Sequence, residues 1–348
     1  MPSTVTSPLS AAPSSAPSSA RRSISTLASL AVLCATIVAS VAVGSKDLPL
    51  DEVWRALAEP DGSDATAIVR DLRVPRTLLG LLVGAALGAA GALMQGITRN
   101  PLAEPGILGI NAGASLAVVI AISVLGLGEP SAFVPFALVG AGLTALLVFA
   151  LGGSGRGGPT PIRLALAGAV LMTLLISLTS AILVFSARTL DEFRFWLVGS
   201  IAGRDASITY AVAPFLVAGL VAAVACGRGL NALALGDDIA KGLGQRVVRT
   251  RVTAGLASVV LSGIAVAVAG PVAFVGLAVP HIARALCGPD YRWIIPLSLV
   301  LGAALLLGAD TFGRVVARPA ELQVGIATAL LGAPFFVWLV RRGQMGAV

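Results

Sequence analysis

Residues 252–280 read VTAGLASVVLSGIAVAVAGPVAFVGLAVP, a run of 29 residues without a charge. As one helix it would be about 43 Å long, well beyond the ~30 Å hydrocarbon core of a bilayer. Gly270-Pro271 stands near its middle, and proline there removes a backbone donor and breaks a helix. The stretch therefore predicts two crossings, the second running on through Ala283. Uncharged runs of spanning length precede it at residues 23–45, 77–98, 106–128, 130–155, 164–187 and 206–227, and two more follow at 293–309 and 322–340. The reading is an all-α integral membrane protein of about ten transmembrane helices.

Composition agrees. Of 348 residues, 57% are hydrophobic and only 12% charged, against roughly 25% charged in a soluble domain. The net charge of +7 does not imply a nucleic-acid partner, because the Lys and Arg sit singly or in pairs at the ends of apolar runs. Snorkelling and topology control explain that placement. Cys34, Cys226 and Cys287 are far apart, show no metal-ligand spacing, and read as buried small hydrophobes. No metal site is expected.

Residues 1–22 read as a disordered tail, 23–342 as one transmembrane domain and 343–348 as a second tail. Between the first two spans, a polar loop holds a short amphipathic helix around Leu50–Ala58, and residues 191–204 read as an interfacial helix. Residues 228–251 form the longest polar interruption of the second half, with glycines that predict two short helices joined by a tight turn. Ten crossings put both termini on one side, where 14 of the 24 Lys and Arg fall. The positive-inside rule makes that side the cytoplasm.

Gly80, Gly84 and Gly88 repeat every four residues, as do Gly109 and Gly113; this spacing lets helices pack closely in lipid, here within one subunit. Asn100-Pro101 shapes a turn. His281, the only histidine, has no ligand-like neighbours and is expected to bond carbonyls freed by Pro280.

Specific strings narrow the function. RDLRVPR (70–76), QGITRNPLAEPGILG (95–109), LNALALGDDIAKGLG (230–244), AGPVAFVGLAVPHIAR (269–284) and PAELQVGIATALLGAPFF (319–336) occur in this order. Together they closely resemble the iron–siderophore, haem and vitamin B12 uptake permeases of type II ABC importers (FecCD-type permeases). Gln323 departs from the pattern, which usually has proline there.

The resemblance implies a ten-helix subunit that works as a dimer with a second copy or a similar chain. Two separate ABC ATPase subunits and an extracytoplasmic substrate-binding protein would complete the complex in the bacterial plasma membrane. The chain has no phosphate-binding loop, so ATP and Mg²⁺ belong to the partner and this chain is neither an enzyme nor a cofactor carrier. The resemblance also distributes roles. Leu235, Gly236, Asp237, Asp238, Lys241, Leu243 and Gly244 would couple to the ATPase, with the charged members exposed to it. Arg73, Arg76 and Arg314 would dock the binding protein, rather than merely satisfying Asp71 and Asp310. Thr160 and Pro161 would form the cytoplasmic gate. Thr173, Ser177 and Ser180, with Thr179, would line the translocation path. The expected solute is an iron–siderophore complex, with vitamin B12 or haem as alternatives. A secondary transporter would need ionisable residues inside its spans, and none is read there.

Overall fold

The computed structural model describes residues 19–59, 61–129, 131–154 and 160–341. The terminal tails lie outside the described residues, except that Ser19 opens the first helix. No strand occurs among the described residues.

Helix α1 (Ser19–Ala42) leads to α2 (Leu50–Ala58), the amphipathic segment expected from sequence. A short α3 (Asp64–Thr66) passes through a π-helical turn, Ala67–Arg73, into α4 (Val74–Thr98). A 3-10 turn, Pro105–Leu108, precedes α5 (Ile110–Leu125); α6 (Val134–Gly153) and α7 (Pro161–Phe185) follow. Then come α8 (Ala187–Leu197), α9 (Ala206–Ala225), α10 (Gly227–Ala234) and α11 (Asp237–Gly242). The chain closes with α12 (Val247–Ala269), α13 (Val275–Cys287), α14 (Tyr291–Val316) and α15 (Val324–Arg341). Seven helices among the described residues are long and apolar enough to cross a membrane. The shorter α5, α13 and α15 bring the crossings to the ten read from sequence.

The break at Gly270-Pro271 is real. Helix α12 stops at Ala269, and Gly270 takes φ +72°, a left-handed value open to glycine at no steric cost. The backbone then turns back, and α13 starts at Val275 beside the middle of α4. There a Cβ on Gly91 would stand 1.8 Å from the Gly276 carbonyl oxygen.

Helix α4 is the centre of the bundle. Its middle glycines meet backbone: Gly84 faces Gly302 and Ala303, and Gly88 faces Ser298, all of α14. Gly113 likewise packs on Gly140 and Thr144 of α6. The four-residue spacing thus serves packing inside one subunit.

Several boundaries differ from expectation. The ninth span, read as ending at Ala309, continues as α14 to Val316, because Asp310 finds cationic partners and need not leave the helix. The interfacial helix begins at Ala187 instead of 191, directly after α7, capped by the Ser186 hydroxyl, which accepts from Thr189 N at 3.2 Å. Of the cysteines only Cys287 is buried, and Cys34 is exposed on α1. The His281 side chain makes no hydrogen bond with any described residue; the first turn of its helix closes on Phe274 O, which accepts from Leu277 N and Ala278 N.

Candidate functional site

Two faces of the bundle carry charge. The face bearing α11 holds the loop between α9 and α12. Gly236, at φ +110°, separates α10 from α11, which starts with Asp237 and Asp238 at its positive N-terminal end. The Asp238 carboxylate is almost wholly exposed, and Lys241 reaches it at 3.5 Å. Leu235, Ile239 and Leu243 are also exposed, so a short helix presents an isoleucine and an acid–base pair outward, flanked by two leucines. Gly244 closes the turn at φ +78°.

Asp237 does something else. Its Oδ1 accepts from Arg251 Nη2 at 2.8 Å and from the Arg99 guanidinium. Burial pushes this carboxyl up, but the two arginines outweigh it and hold it below the usual carboxylate range. Arg99 follows the last residue of α4 and takes the left-handed conformation at φ +51°, which costs a non-glycine residue about 1–2 kcal/mol. Asp237 therefore ties α11 to both α4 and α12. Nearby, Asn231 Nδ2 donates to Asp290 at 2.6 Å and Tyr291 N donates to Asn231 Oδ1 at 2.8 Å, joining α10 to the start of α14. The Arg292 guanidinium, followed by the Asn231 amide, holds the Asp290 carboxyl down at about 2.

The opposite face, bearing α2, holds the arginines expected to dock a partner. Arg73 is buried and donates to the carbonyls of Val41, Ala42 and Lys46 at 3.0, 2.7 and 2.7 Å. Arg314 is 2% exposed; it donates to Ser40 O and Val43 O at 3.0 and 2.9 Å and lies 3.2 Å from Asp310. Both guanidinium groups thus satisfy the orphan carbonyls that end α1. Arg76 bridges Asp310 and Glu321, each at 2.7 Å. Arg73 and Arg314 thus build this face from within, and neither can reach outward without freeing those carbonyls. Asp310, fully buried inside α14, and Glu321 are the partners Arg76 uses, while Asp71 stays exposed. Around them Lys46, Arg70 and Arg318 remain exposed. The expectation of no ionisable residue inside a span is overturned at Asp310 and Arg314. Neither stands alone, because a buried charge is tolerated only when paired.

The polar residues of α7 are differently placed. Thr173, Ser177 and Ser180 are exposed on its surface, whereas Thr179 is buried. Thr173 and Ser177 donate to Ala169 O and Thr173 O of their own helix, each at 2.9 Å. These hydroxyls are satisfied locally and leave a weakly polar strip. Thr160 caps α7, accepting from Arg163 N at 3.4 Å, with Pro161 at the first helical position. Most of the turn before it, residues 155–159, lies outside the described residues. No cluster of His, Cys, Asp and Glu among the described residues could hold a metal.

An all-helical bundle of spanning length, with paired charges in its core and an exposed charged loop on one face, has the architecture of a multi-pass membrane permease. The chain belongs to the FecCD transport family, whose model matches residues 32–342. It is 44% identical over 326 residues to the ferric enterobactin transport system permease protein FepD of Escherichia coli (strain K12), covering 93% of this chain and 97% of that one. It is 43% identical over 305 residues to the Fe(3+)-citrate import system permease protein YfmD of Bacillus subtilis (strain 168), covering 88% and 90%. Among solved structures it resembles a chain of a metal-chelate type ABC transporter in an inward-facing conformation, with TM-score 0.80, 28% identity and coverage of 91% and 98%. The protein is a permease of the bacterial inner membrane, of a family that transports and is not an enzyme.

Proposed function

We propose that this chain is the membrane-spanning subunit of an ATP-driven importer that carries an iron–siderophore complex into the cytoplasm. The observation that carries the reading is the likeness, along nearly the whole chain, to permeases named for ferric enterobactin and ferric citrate. Energy comes from two copies of a separate ABC ATPase, which hold the ATP and Mg²⁺. A second permease chain completes the path, and both termini lie in the cytoplasm.

In this reading the α11 face is cytoplasmic and seats in the ATPase. Leu235, Asp238, Lys241 and Leu243 make the contact, with Gly236 and Gly244 as its turns. Asp237 relays movement of α11 to α4 and α12 through Arg99 and Arg251. The α2 face receives the substrate-binding protein; Lys46, Arg70 and Arg318 are its exposed cations, and Arg73, Arg76 and Arg314 hold the rim in shape. Rim charges of this kind set orientation and association rate more than affinity. Thr160 and Pro161 stand at the cytoplasmic gate. The strip of Thr173, Ser177 and Ser180 lines a path that lets a bulky complex slide.

The test is purification of the tagged chain from its native membrane, followed by reconstitution. A nucleotide-binding subunit should copurify, and proteoliposomes should take up a ferric chelate only with ATP. A chain that purifies alone and moves the chelate without ATP overturns the importer reading.

A further inference from the structure

A cavity of 520 Å³ lies where the helix breaks meet, lined among others by Leu87, Glu104, Asn111, Val266, Pro271 and Leu330. Its depth follows from α4. A Cβ on Gly276 would stand 3.3 Å from Leu87 O and 3.4 Å from Pro105 Cδ, and Leu87 is near the midpoint of Val74–Thr98. The chain after α4 therefore climbs back into the bundle. It carries Glu104, which in sequence falls between the uncharged runs 77–98 and 106–128, to the middle of the membrane.

Among the described residues Glu104 is the only ionisable one lining the cavity. Its side chain does not cap the 3-10 turn that follows it and has no hydrogen bond or ion pair with any described residue. A Cβ on Gly106 would lie 3.1 Å from Glu104 Oε1 and 3.5 Å from Asn111 Nδ2, so the two polar groups flank one glycine. The Ser262 hydroxyl is spent on Ser258 O at 2.6 Å. The remaining walls are apolar or backbone. An ionisable side chain at this depth with no structural partner marks a functional site. The volume falls in the range of small-molecule pockets, which are mostly apolar with a few convergent polar groups. The rim reaches the chain's surface at Leu197, Ile326 and Leu330, all exposed. One residue beyond the lining Gly106, Ile107 packs on Gly168 of α7, and α8, which brings Leu197 to the cavity, continues from the end of α7.

We propose that the Glu104 carboxylate and the Asn111 amide form a polar subsite in the translocation path, receiving an N–H, O–H or ammonium donor of the passing chelate. This rests on the importer reading above. With no cation among the described residues beside it, the carboxylate favours solutes that bring a donor to meet it. The absence of further polar partners keeps that contact weak enough to release.

The test uses the complete importer, with its own ATPase and binding protein, in proteoliposomes. The probes are radioiron-loaded ferrichrome, ferrioxamine B and ferric enterobactin, and variants are compared on those the wild type carries. Glu104→Gln, of the same shape but uncharged, is expected to lower uptake about tenfold, the scale of one hydrogen bond to a charged group. Glu104→Asp should lose less, and Asn111→Leu should fall in the same direction. All three should assemble and melt as the wild type does. Undiminished uptake by Glu104→Gln overturns the proposal. So does a fall in uptake matched by a fall in melting temperature, which marks a structural carboxylate. A wild-type importer that carries none of these three chelates and no ferric citrate either defeats the ferric-chelate reading itself, and this subsite with it.

Discussion

Helices α4 and α7 have the same length, 25 residues each, and both are strongly apolar. Yet 78% of the most apolar window in the first is buried, against 11% in the second. The difference lies in small residues. Helix α4 carries Gly80, Gly84, Gly88, Gly91 and Gly96; neighbouring backbones close onto the middle three and side chains onto the outer two. Helix α7 has one glycine, Gly168, and it marks the place where the 3-10 turn touches it. The rest of α7 presents Ile162, Leu166, Val170, Leu174 and the hydroxyl strip to its surroundings. In lipid an apolar side chain gains nothing by leaving hydrocarbon, so close packing and small residues decide which helix is central. One helix organises the subunit; the other keeps most of its surface open, and the function proposed above gives that surface to a second permease chain and the path between them.

The contrast can be broken most directly at Gly91. Its added Cβ would meet the Gly276 carbonyl at 1.8 Å, a backbone atom that cannot step aside. Gly91→Val is expected to cost about 3 kcal/mol or more and to abolish accumulation of folded chain, read as yield and thermal unfolding in detergent. Gly142→Ala on α6, with nothing within 4 Å, should behave as the wild type. Wild-type melting of Gly91→Val would mean that α4 is not the packed centre.

A smaller effect is expected on α7. Ser177→Phe fills part of the exposed strip without touching the core. Stability should stay within about 0.5 kcal/mol, while ATP-driven uptake falls roughly fivefold, about 1 kcal/mol. If melting drops and uptake per folded complex does not, the strip faces a packing neighbour and not the path.

The smallest change is expected for Thr173→Val. Its hydroxyl is already bonded within the helix at 2.9 Å, so uptake should change less than about twofold and melting should not move. A tenfold loss would show that the solute itself reads this hydroxyl, and would sharpen the contrast by giving α7 a recognition role.

Much of this molecule is legible in one dimension. The break at Gly270-Pro271, the surface helix Leu50–Ala58 and the paired short helices α10 and α11 depend on local rules of length, proline and glycine. These rules act over a few residues, so neighbours in sequence suffice. The five ordered strings carried the family for the same reason, since residue identity is all that a family likeness compares.

Partner choice is not local. The arginines of residues 70–76 look like surface cations. Whether Arg73 reaches outward depends on the carbonyls of Val41, Ala42 and Lys46, roughly 30 positions away. Asp310 looks like the end of a span, and remains helical because Arg76, 234 positions distant, pays for its charge. Asp237 looks like a free surface acid, and is clasped by Arg99 and Arg251 from two other helix ends. Glu104 falls between two uncharged runs in sequence, and its depth shows only where Pro105 is found against Gly276.

The sequence by itself determined that the chain crosses a membrane about ten times, where most crossings begin and end, and which family it joins. Only the tertiary structure decided which charges are spent inside the chain and which remain to meet a partner or a solute. Hydrophobic length is a property of a segment, whereas the state of a charge depends on what the fold brings within about 4 Å of it.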